Sequence, residues 1–362
     1  MTGEKDKIMG ITAKELAKKM NLSEAAISMA LNNKPGVSTQ TRKMILEEAK
    51  KYGYDFSRIK GKELPVSEQG TICFIIYRKH GALVPNSPVL FHEEHGSTIP
   101  DVPFFSQLSE GISLSCKEHH YHLNISYLYE GDDVARQLRE LYRIGTSGIL
   151  LLGTEMERHD LIPFTNCGIP FVLIDNYFED LGTSSVITNN MQGAYLATNH
   201  LIRKRRSQPG YLRSSYRSTG FEERADGFYK AIRNNGMSTS RSIVHALSPN
   251  VDGAYGDMKE ILSQNVKPQL ASCYFADNDL IAAGAIRAFT EAGYRVPEDV
   301  AIVGFDNMPL CTYITPALTT VHVPKQYMGE IAVKQLVEMI KNPRISPVKI
   351  EVATALKVRK SC

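Results

Sequence analysis

Six cysteines, Cys73, Cys116, Cys167, Cys273, Cys311 and Cys362, are scattered through 362 residues without one C-x-x-C pair. That spacing speaks against a disulfide framework and a cysteine zinc site, and it predicts reduced thiols. No apolar run approaches about 18 residues, so no membrane-spanning helix is expected. The opening MTGEKDKIMG lacks the apolar segment of a secretory signal, and a cytoplasmic protein is the expectation. Also missing are the glycine-rich loops that cradle nucleotides, G-x-G-x-x-G and G-x-x-x-x-G-K-[ST], and any evident Ser-His-Asp arrangement. These absences argue against an enzyme, and no catalytic residue, cofactor or metal is assigned. His92-Glu93-Glu94-His95 could present metal ligands, but a helix-borne pair normally uses a spacing of four, and the stretch reads as a loop. His119, His120 and His122 read as an exposed helix end.

What is present is the composition of a soluble globular protein, 43% hydrophobic and 22% charged, with room for two or three domains. The net charge of +3 hides an asymmetry: residues 1–62 hold thirteen Lys or Arg against seven Asp or Glu, a net +6, so the other 300 residues carry −3. A basic end of this kind is either a solvated face or a surface for phosphates.

The basic end also carries a helical pattern. Leu16, Ala17 and Met20 recur at helical spacing behind Thr12-Ala13-Lys14-Glu15, a capping-box sequence that starts a helix near Thr12. Met20-Asn21-Leu22 is a turn, and Ser23 caps a second helix, Glu24 to Leu31, with Ala26, Ile27, Ala30 and Leu31 on one apolar face. Asn32-Asn33-Lys34-Pro35-Gly36 ends it. Ser38 caps a third helix whose Ile45, Leu46 and Ala49 close a small core. Helix, tight turn and helix make a helix-turn-helix.

From Gly70 onward the pattern alternates between strand and helix. The runs 71–76, 147–153, 168–175 and 301–306 are nearly continuous in apolar residues, and the last three end in Gly or Asp. Such runs suit parallel strands covered by helices on both faces, and ligands in such sheets collect beyond the strand C-termini.

Asn32-Asn33-Lys34-Pro35-Gly36-Val37-Ser38, Thr41-Arg42 and Tyr52-Gly53-Tyr54 resemble the DNA-binding headpiece of the LacI/GalR family of bacterial transcription regulators. Arg224-Ala225-Asp226-Gly227-Phe228, Phe275-Ala276-Asp277-Asn278-Asp279, Val296-Pro297-Glu298-Asp299-Val300 and the run 315–321 resemble that family's effector-binding core. The resemblance implies an α-helical headpiece at 1–54, a hinge or linker at 55–69, and an α/β core at 70–362 built as two periplasmic-binding-protein-like lobes. Crossings between lobes are expected near Asn190, Val321 and Ser346, giving lobe 1 as about 70–189 and 322–345 and lobe 2 as about 190–321 and 346–362. The family's minor-groove wedge aligns with Glu63, one residue from Leu64, and the insertion around 80–103 has no family counterpart.

For function, the resemblance implies a ligand-regulated repressor, a homodimer on palindromic double-stranded DNA, with no membrane partner. DNA contacts are expected from Thr12, Ser23, Glu24, Ala25, Ser28, Met29 and Asn32. Met29 would either touch a thymine methyl or pack on the headpiece, and Glu24 would either accept from a cytosine amino group or favour its helix N-terminus. Effector contacts are expected from Phe104, Phe105, Asp175, Arg224, Asn278 and Asp306. Their forked donor, amide and carboxylates suit a sugar's adjacent hydroxyls; a nucleobase stacked on Phe104 and Phe105, or a protein corepressor, is the alternative. The basic run Arg203-Lys204-Arg205-Arg206 reads as solvated surface.

Overall fold

Three hydroxyl side chains start the three helices of the N-terminal unit in the computed structural model. The model describes residues 11–32, 36–54, 70–79, 102–264 and 269–362. Thr12 Oγ1 accepts from the Glu15 N–H at 3.3 Å, and the Glu15 carboxylate accepts from the Thr12 N–H at 2.8 Å. This reciprocal box opens α1 (Ala13–Met20). Ser23 caps α2 (Glu24–Leu31) through the Ala26 N–H, and Ser38 caps α3 (Thr39–Lys51) through the Thr41 N–H, both at 3.1 Å. Asn21, left-handed at φ 51°, reverses the chain between α1 and α2. Leu16, Ala17, Ile27, Ala30, Leu31, Ile45 and Ala49 are buried together, so all three helices share one small core. Each large side chain there contributes roughly 1.5–3 kcal/mol of burial. The first unit is Met1–Gln69 and the second Gly70–Cys362. The linker at 55–69, the His92 to His95 run and residues 80–101 of the insertion lie outside the described residues.

In the second unit the chain lays down β1 (Gly70–Arg78), β2 (Tyr121–Tyr129), β3 (Thr146–Leu152), β4 (Phe171–Ile174) and β5 (Ser184–Thr188) as parallel neighbours in one sheet. It then builds a second sheet from β6 (Gly210–Ser214), β7 (Val244–Leu247), β8 (Cys273–Ala276), β9 (Ala301–Asp306) and β10 (Thr319–His322), again parallel. Afterwards β11 (Lys349–Val352) returns to the first sheet beside β5, and β12 (Ala355–Lys357) joins the second, antiparallel to β10. The orders are β11-β5-β4-β3-β1-β2 and β12-β10-β9-β8-β6-β7.

Helices α4 (Val102–Glu118), α5 (Val134–Arg143) and α6 (Arg158–Thr165) connect the first sheet. Helices α7 (Asn190–Arg205), α8 (Thr219–Asn234), α9 (Val251–Leu262), α10 (Asp279–Glu291) and the short α11 (Leu310–Tyr313) belong to the second, and α12 (Lys325–Lys341) packs back on α4 and the first sheet. Ile72, Phe74 and Ile76 of β1 are buried in one cluster and Cys73, Ile75 and Tyr77 in another, which is why the strand is an unbroken apolar run.

The chain thus crosses between sheets after Thr188, after His322 and after Val352. The third crossing corrects the expectation near Ser346: Lys349 and Val352 pair with Ser185 and Thr188, so 349–352 complete the first lobe's sheet. Gly193 lets α7 lie close on the second sheet at the first crossing, since a Cβ there would stand 2.6 Å from the Phe305 ring and 2.9 Å from Val321. All six cysteines are free, four of them buried.

Candidate functional site

On the N-terminal unit, the first turn of α2 presents Glu24 and Ala25 to solvent, and Ser28, one turn on, is exposed as well. Small, exposed residues at a capped helix N-terminus can approach a phosphate backbone or a base edge closely. Three of the predicted side chains are already engaged within the unit. The Thr12 hydroxyl donates to Glu15 Oε2 at 2.8 Å as well as accepting from the Glu15 N–H, so its one proton is used in the capping box. Ser23 Oγ accepts the cap bond and keeps its donor. Asn32 Nδ2 donates back to the Ser28 carbonyl at 2.8 Å. Met29 is half-buried, and its Sδ lies 2.9 Å from where a Cβ on Gly36 would stand. Of its two readings, this favours packing: the thioether fills the space beside Gly36, whose φ is 116°.

In the second unit, all six predicted effector residues line one cleft, partly open to solvent, between the C-terminal ends of the two sheets. Phe104 and Phe105 come from the first turn of α4, Asp175 follows β4, Arg224 comes from α8, Asn278 precedes α10, and Asp306 ends β9. The two phenylalanine rings meet edge to face, centroids 5.3 Å apart at 69°, and form an angled apolar wall.

Arg224 is 8% exposed, and each of its three nitrogens donates one hydrogen bond within the protein. Its Nε donates to Asn190 Oδ1 at 2.9 Å, Nη1 to the Asp277 carbonyl and Nη2 to Asp306 Oδ1 at 3.3 Å. Its guanidinium carbon stands 3.8 Å from the Phe305 ring centroid, a cation–π contact that flattens it against the cleft floor. Two of its five N–H groups are left for a ligand. Asp306 has φ 105°, a strained left-handed conformation for a non-glycine residue, and Lys325 Nζ donates to its carbonyl. Burial raises the pKa of Asp306, opposed by Arg224 and then Lys325. Burial likewise lowers that of Lys325, opposed by Asp306 and Asp279.

Asp175, also left-handed at φ 65°, accepts from Thr154 Oγ1 at 2.8 Å. Burial pushes its carboxyl up to about 6, against the Thr154 hydrogen bond and the Arg224 charge. Asn278 Oδ1 caps α10 by accepting from the Ile281 N–H at 2.8 Å, and its Nδ2 donates to the Pro249 carbonyl at 3.5 Å, which leaves one lone pair and one N–H for a ligand. The neighbouring carboxylates are structural. Asp277 accepts from the Tyr211 hydroxyl and, at 2.6 Å, from the Ser214 N–H. Asp279 accepts from the Met308 N–H at 2.7 Å and Thr320 Oγ1 at 2.5 Å.

Thr154, Ser218, Gly220, Phe221, Pro249, Leu280 and Met308 complete the lining and were not predicted. Thr154 directly follows the Gly153 that ends a predicted strand, and Ser218 caps α8 one turn before Phe221, so both stood where a strand-end or helix-start signal could have found them. Among the described residues no group of three or more His, Cys, Asp or Glu is arranged to hold a metal ion, and no helix is long and apolar enough to cross a membrane. The basic run at 203–206 is largely exposed, except that Arg205 is anchored to the Pro297 and Glu298 carbonyls at 3.0 and 2.9 Å.

Residues 198–362 match the model of a periplasmic binding protein-like domain. The chain is 29% identical over 356 residues to the HTH-type transcriptional repressor PurR of Aliivibrio salmonicida, covering 96% of this chain and 99% of that protein. It is 26% identical over 335 residues to the ribose operon repressor of Haemophilus influenzae, covering 92% of each. Its fold is similar to that of the lac repressor dimer bound to operator and the anti-inducer ONPF, with a TM-score of 0.67, 18% identity, and coverage of 98% and 99%. It is also similar to that of the transcriptional regulator CelR in complex with cellobiose, with a TM-score of 0.66, 22% identity, and coverage of 97% and 100%.

Proposed function

Because the chain belongs to the LacI/GalR family of bacterial transcription regulators, we propose that it is a cytoplasmic, homodimeric repressor whose hold on a palindromic operator is set by a sugar in the interlobe cleft. It is a regulator rather than an enzyme. In this reading residues 1–54 contact DNA, with the exposed turn of Ser23, Glu24, Ala25 and Ser28 entering the major groove. Residues 70–362 bind effector and dimerise, and 55–69 join the two.

The observation that carries the effector reading is the facing of Asp175 from one lobe and the Arg224–Asp306 pair from the other across a single cleft walled by phenylalanines. Hydrogen-bonding groups on both lobes suit a ligand with hydroxyls around its whole edge, and the apolar wall suits a sugar's C–H face. Such a ligand binds the two lobes together, so it favours their closed arrangement. That differential affinity shifts the population of states that present two headpieces to two half-sites. A relative named as a ribose operon repressor and a neighbour holding cellobiose support a sugar.

A nucleobase is the second reading, favoured by the three rings of Phe104, Phe105 and Phe221 in the lining. Two measurements test the proposal. Purified protein should select a palindromic sequence from random DNA and bind it with a steep inverse dependence on salt; absence of any selected sequence defeats the repressor reading. In a thermal-shift panel of pentoses, hexoses, disaccharides and nucleobases, a sugar should raise the melting temperature. A rise with nucleobases alone replaces the sugar with the second reading.

A further inference from the structure

Two consecutive residues of α8 face different parts of the molecule. Arg224 reaches into the cleft, whereas Glu223 turns toward the first crossing between the lobes, and the two are joined there by one amide. Asn190 Oδ1 accepts from Arg224 Nε at 2.9 Å, and Asn190 Nδ2 donates to Glu223 Oε2 at 2.9 Å. The other carboxylate oxygen of Glu223 accepts from the Tyr177 hydroxyl at 2.9 Å. Tyr177 belongs to the first lobe, two residues beyond Asp175, and its ring is held by Lys349 Nζ 3.8 Å from the centroid, on the strand that completes the first sheet. Burial and then the Glu223 hydrogen bond raise the Tyr177 pKa, so the phenol stays a donor.

The result is an unbroken hydrogen-bonded chain from the first lobe, through the crossover, to the guanidinium of the second. Asn190 is 3% exposed and has both ends of its amide occupied, so it cannot rotate without breaking a bond on one side or the other.

We propose that Glu223 is a positioning residue that ties the orientation of Arg224 to closure of the lobes, through Asn190 on one side and Tyr177 on the other. This rests on the reading of the cleft as the effector site. When the lobes separate, Tyr177 leaves Glu223; the freed carboxylate relaxes its grip on Asn190, and Arg224 loses the partner that orients its Nε edge. A ligand that fixes Arg224 and Asp306 acts on the same chain in reverse and strengthens closure, as linkage requires.

The test needs no ligand. Amide hydrogen exchange is followed by mass spectrometry on the full-length, ligand-free protein and on Tyr177→Phe, Arg224→Lys and the double variant, with Glu223→Gln as a second route if Tyr177→Phe does not fold. Tyr177→Phe keeps the ring on Lys349 and removes only the hydroxyl. Exchange should rise about fivefold on both lips of the cleft, at 153–156 and 175–177 in the first lobe and at 218–221 and 306–308 in the second. The double variant should exchange no faster than the faster single variant, because both break one chain. A rise confined to residues beside Tyr177, or singles whose effects multiply in the double variant, overturns the proposal. Failure of the effector reading would show separately, in the thermal-shift panel.

Discussion

The guanidinium of Arg224 lies 3.8 Å from the centre of the Phe305 ring, so the principal cation of the cleft rests on the aromatic floor of the second sheet. Residues 224 and 305 come from α8 and β9, so their contact ties a helix to a strand of the second sheet at the cleft floor.

Replacing that fork with a flexible ammonium should be costly. In Arg224→Lys a single nitrogen must reach Asn190, the Asp277 carbonyl and Asp306, which in the parent are served by three separate nitrogens of the guanidinium. Leaving a buried acceptor without its partner costs about 1–3 kcal/mol, and the planar stack on Phe305 is lost as well. The expected outcome is a melting temperature several degrees lower and an effector Kd raised at least about tenfold, roughly 1.4 kcal/mol. Calorimetric titration with the sugar found in the panel checks it.

Acid should weaken effector binding with a midpoint set by Asp175, whose carboxyl is pushed up to about 6 by burial. Above that pH the ionised group accepts from ligand hydroxyls; below it one oxygen is protonated, and affinity should fall between pH 7 and 5. Asp175→Asn should bind more weakly at pH 7 and lose this step. The ligand-free fold responds with the opposite sign. Asp277, fully buried, is also pushed up to about 6 from 3.8, chiefly by burial. Between those values the folded protein holds a proton that the unfolded chain has released, so this carboxyl makes stability decline as pH rises from about 4 to 6, by at most roughly 1.4 kcal/mol per pH unit. Denaturant titrations across that range measure the slope.

On the headpiece, Ala25→Glu should abolish operator binding while sparing the effector response. Ala25 is exposed in the first turn of α2, where an added carboxylate suits the helix dipole yet opposes DNA phosphates. Operator affinity should fall at least about 100-fold, near 2.7 kcal/mol. The ligand-induced rise in melting temperature, which comes from residues 70–362, should persist. Loss of both responses would count against the division of labour between the two units.

The helix caps were legible because Thr12, Ser23 and Ser38 act through residues three positions away, and local pairs leave a sequence signature. Strands such as Ala301–Asp306 were legible because burial of both faces demands an unbroken apolar run. The edge strand Lys349–Val352 was not: Lys349 and Glu351 alternate with Ile350 and Val352, a pattern too short and too polar to stand apart from a loop. The bonds of Asn190 to Arg224 and Glu223 could not be read at all, since polar pairs more than thirty residues apart leave no periodic trace. Asn278 both lines the cleft and caps α10, and the second role is legible because an Asn just before an apolar helix is a common N-cap.

Gly193 links fold and site, and its substitution should damage both. The residue sits in the first turn and a half of α7, directly against β9 and β10, where a Cβ would stand 2.6 Å from Phe305 and 2.9 Å from Val321. Helix propensity alone favours Gly193→Ala by about 1 kcal/mol. Sterics oppose it, because Phe305 is wholly buried and has no free volume into which to retreat. Overpacking of this kind typically costs 1–3 kcal/mol, so a net destabilisation of about 1 kcal/mol is expected despite the better helix former. Arg224 stacks on Phe305, 3.8 Å from its centroid, so strain on that ring reaches the cleft and should raise the effector Kd severalfold. A second change, Gly193→Ala with Phe305→Leu, separates the two effects. The smaller side chain should restore the melting temperature toward that of the parent, while effector affinity stays low because the aromatic floor under Arg224 is gone.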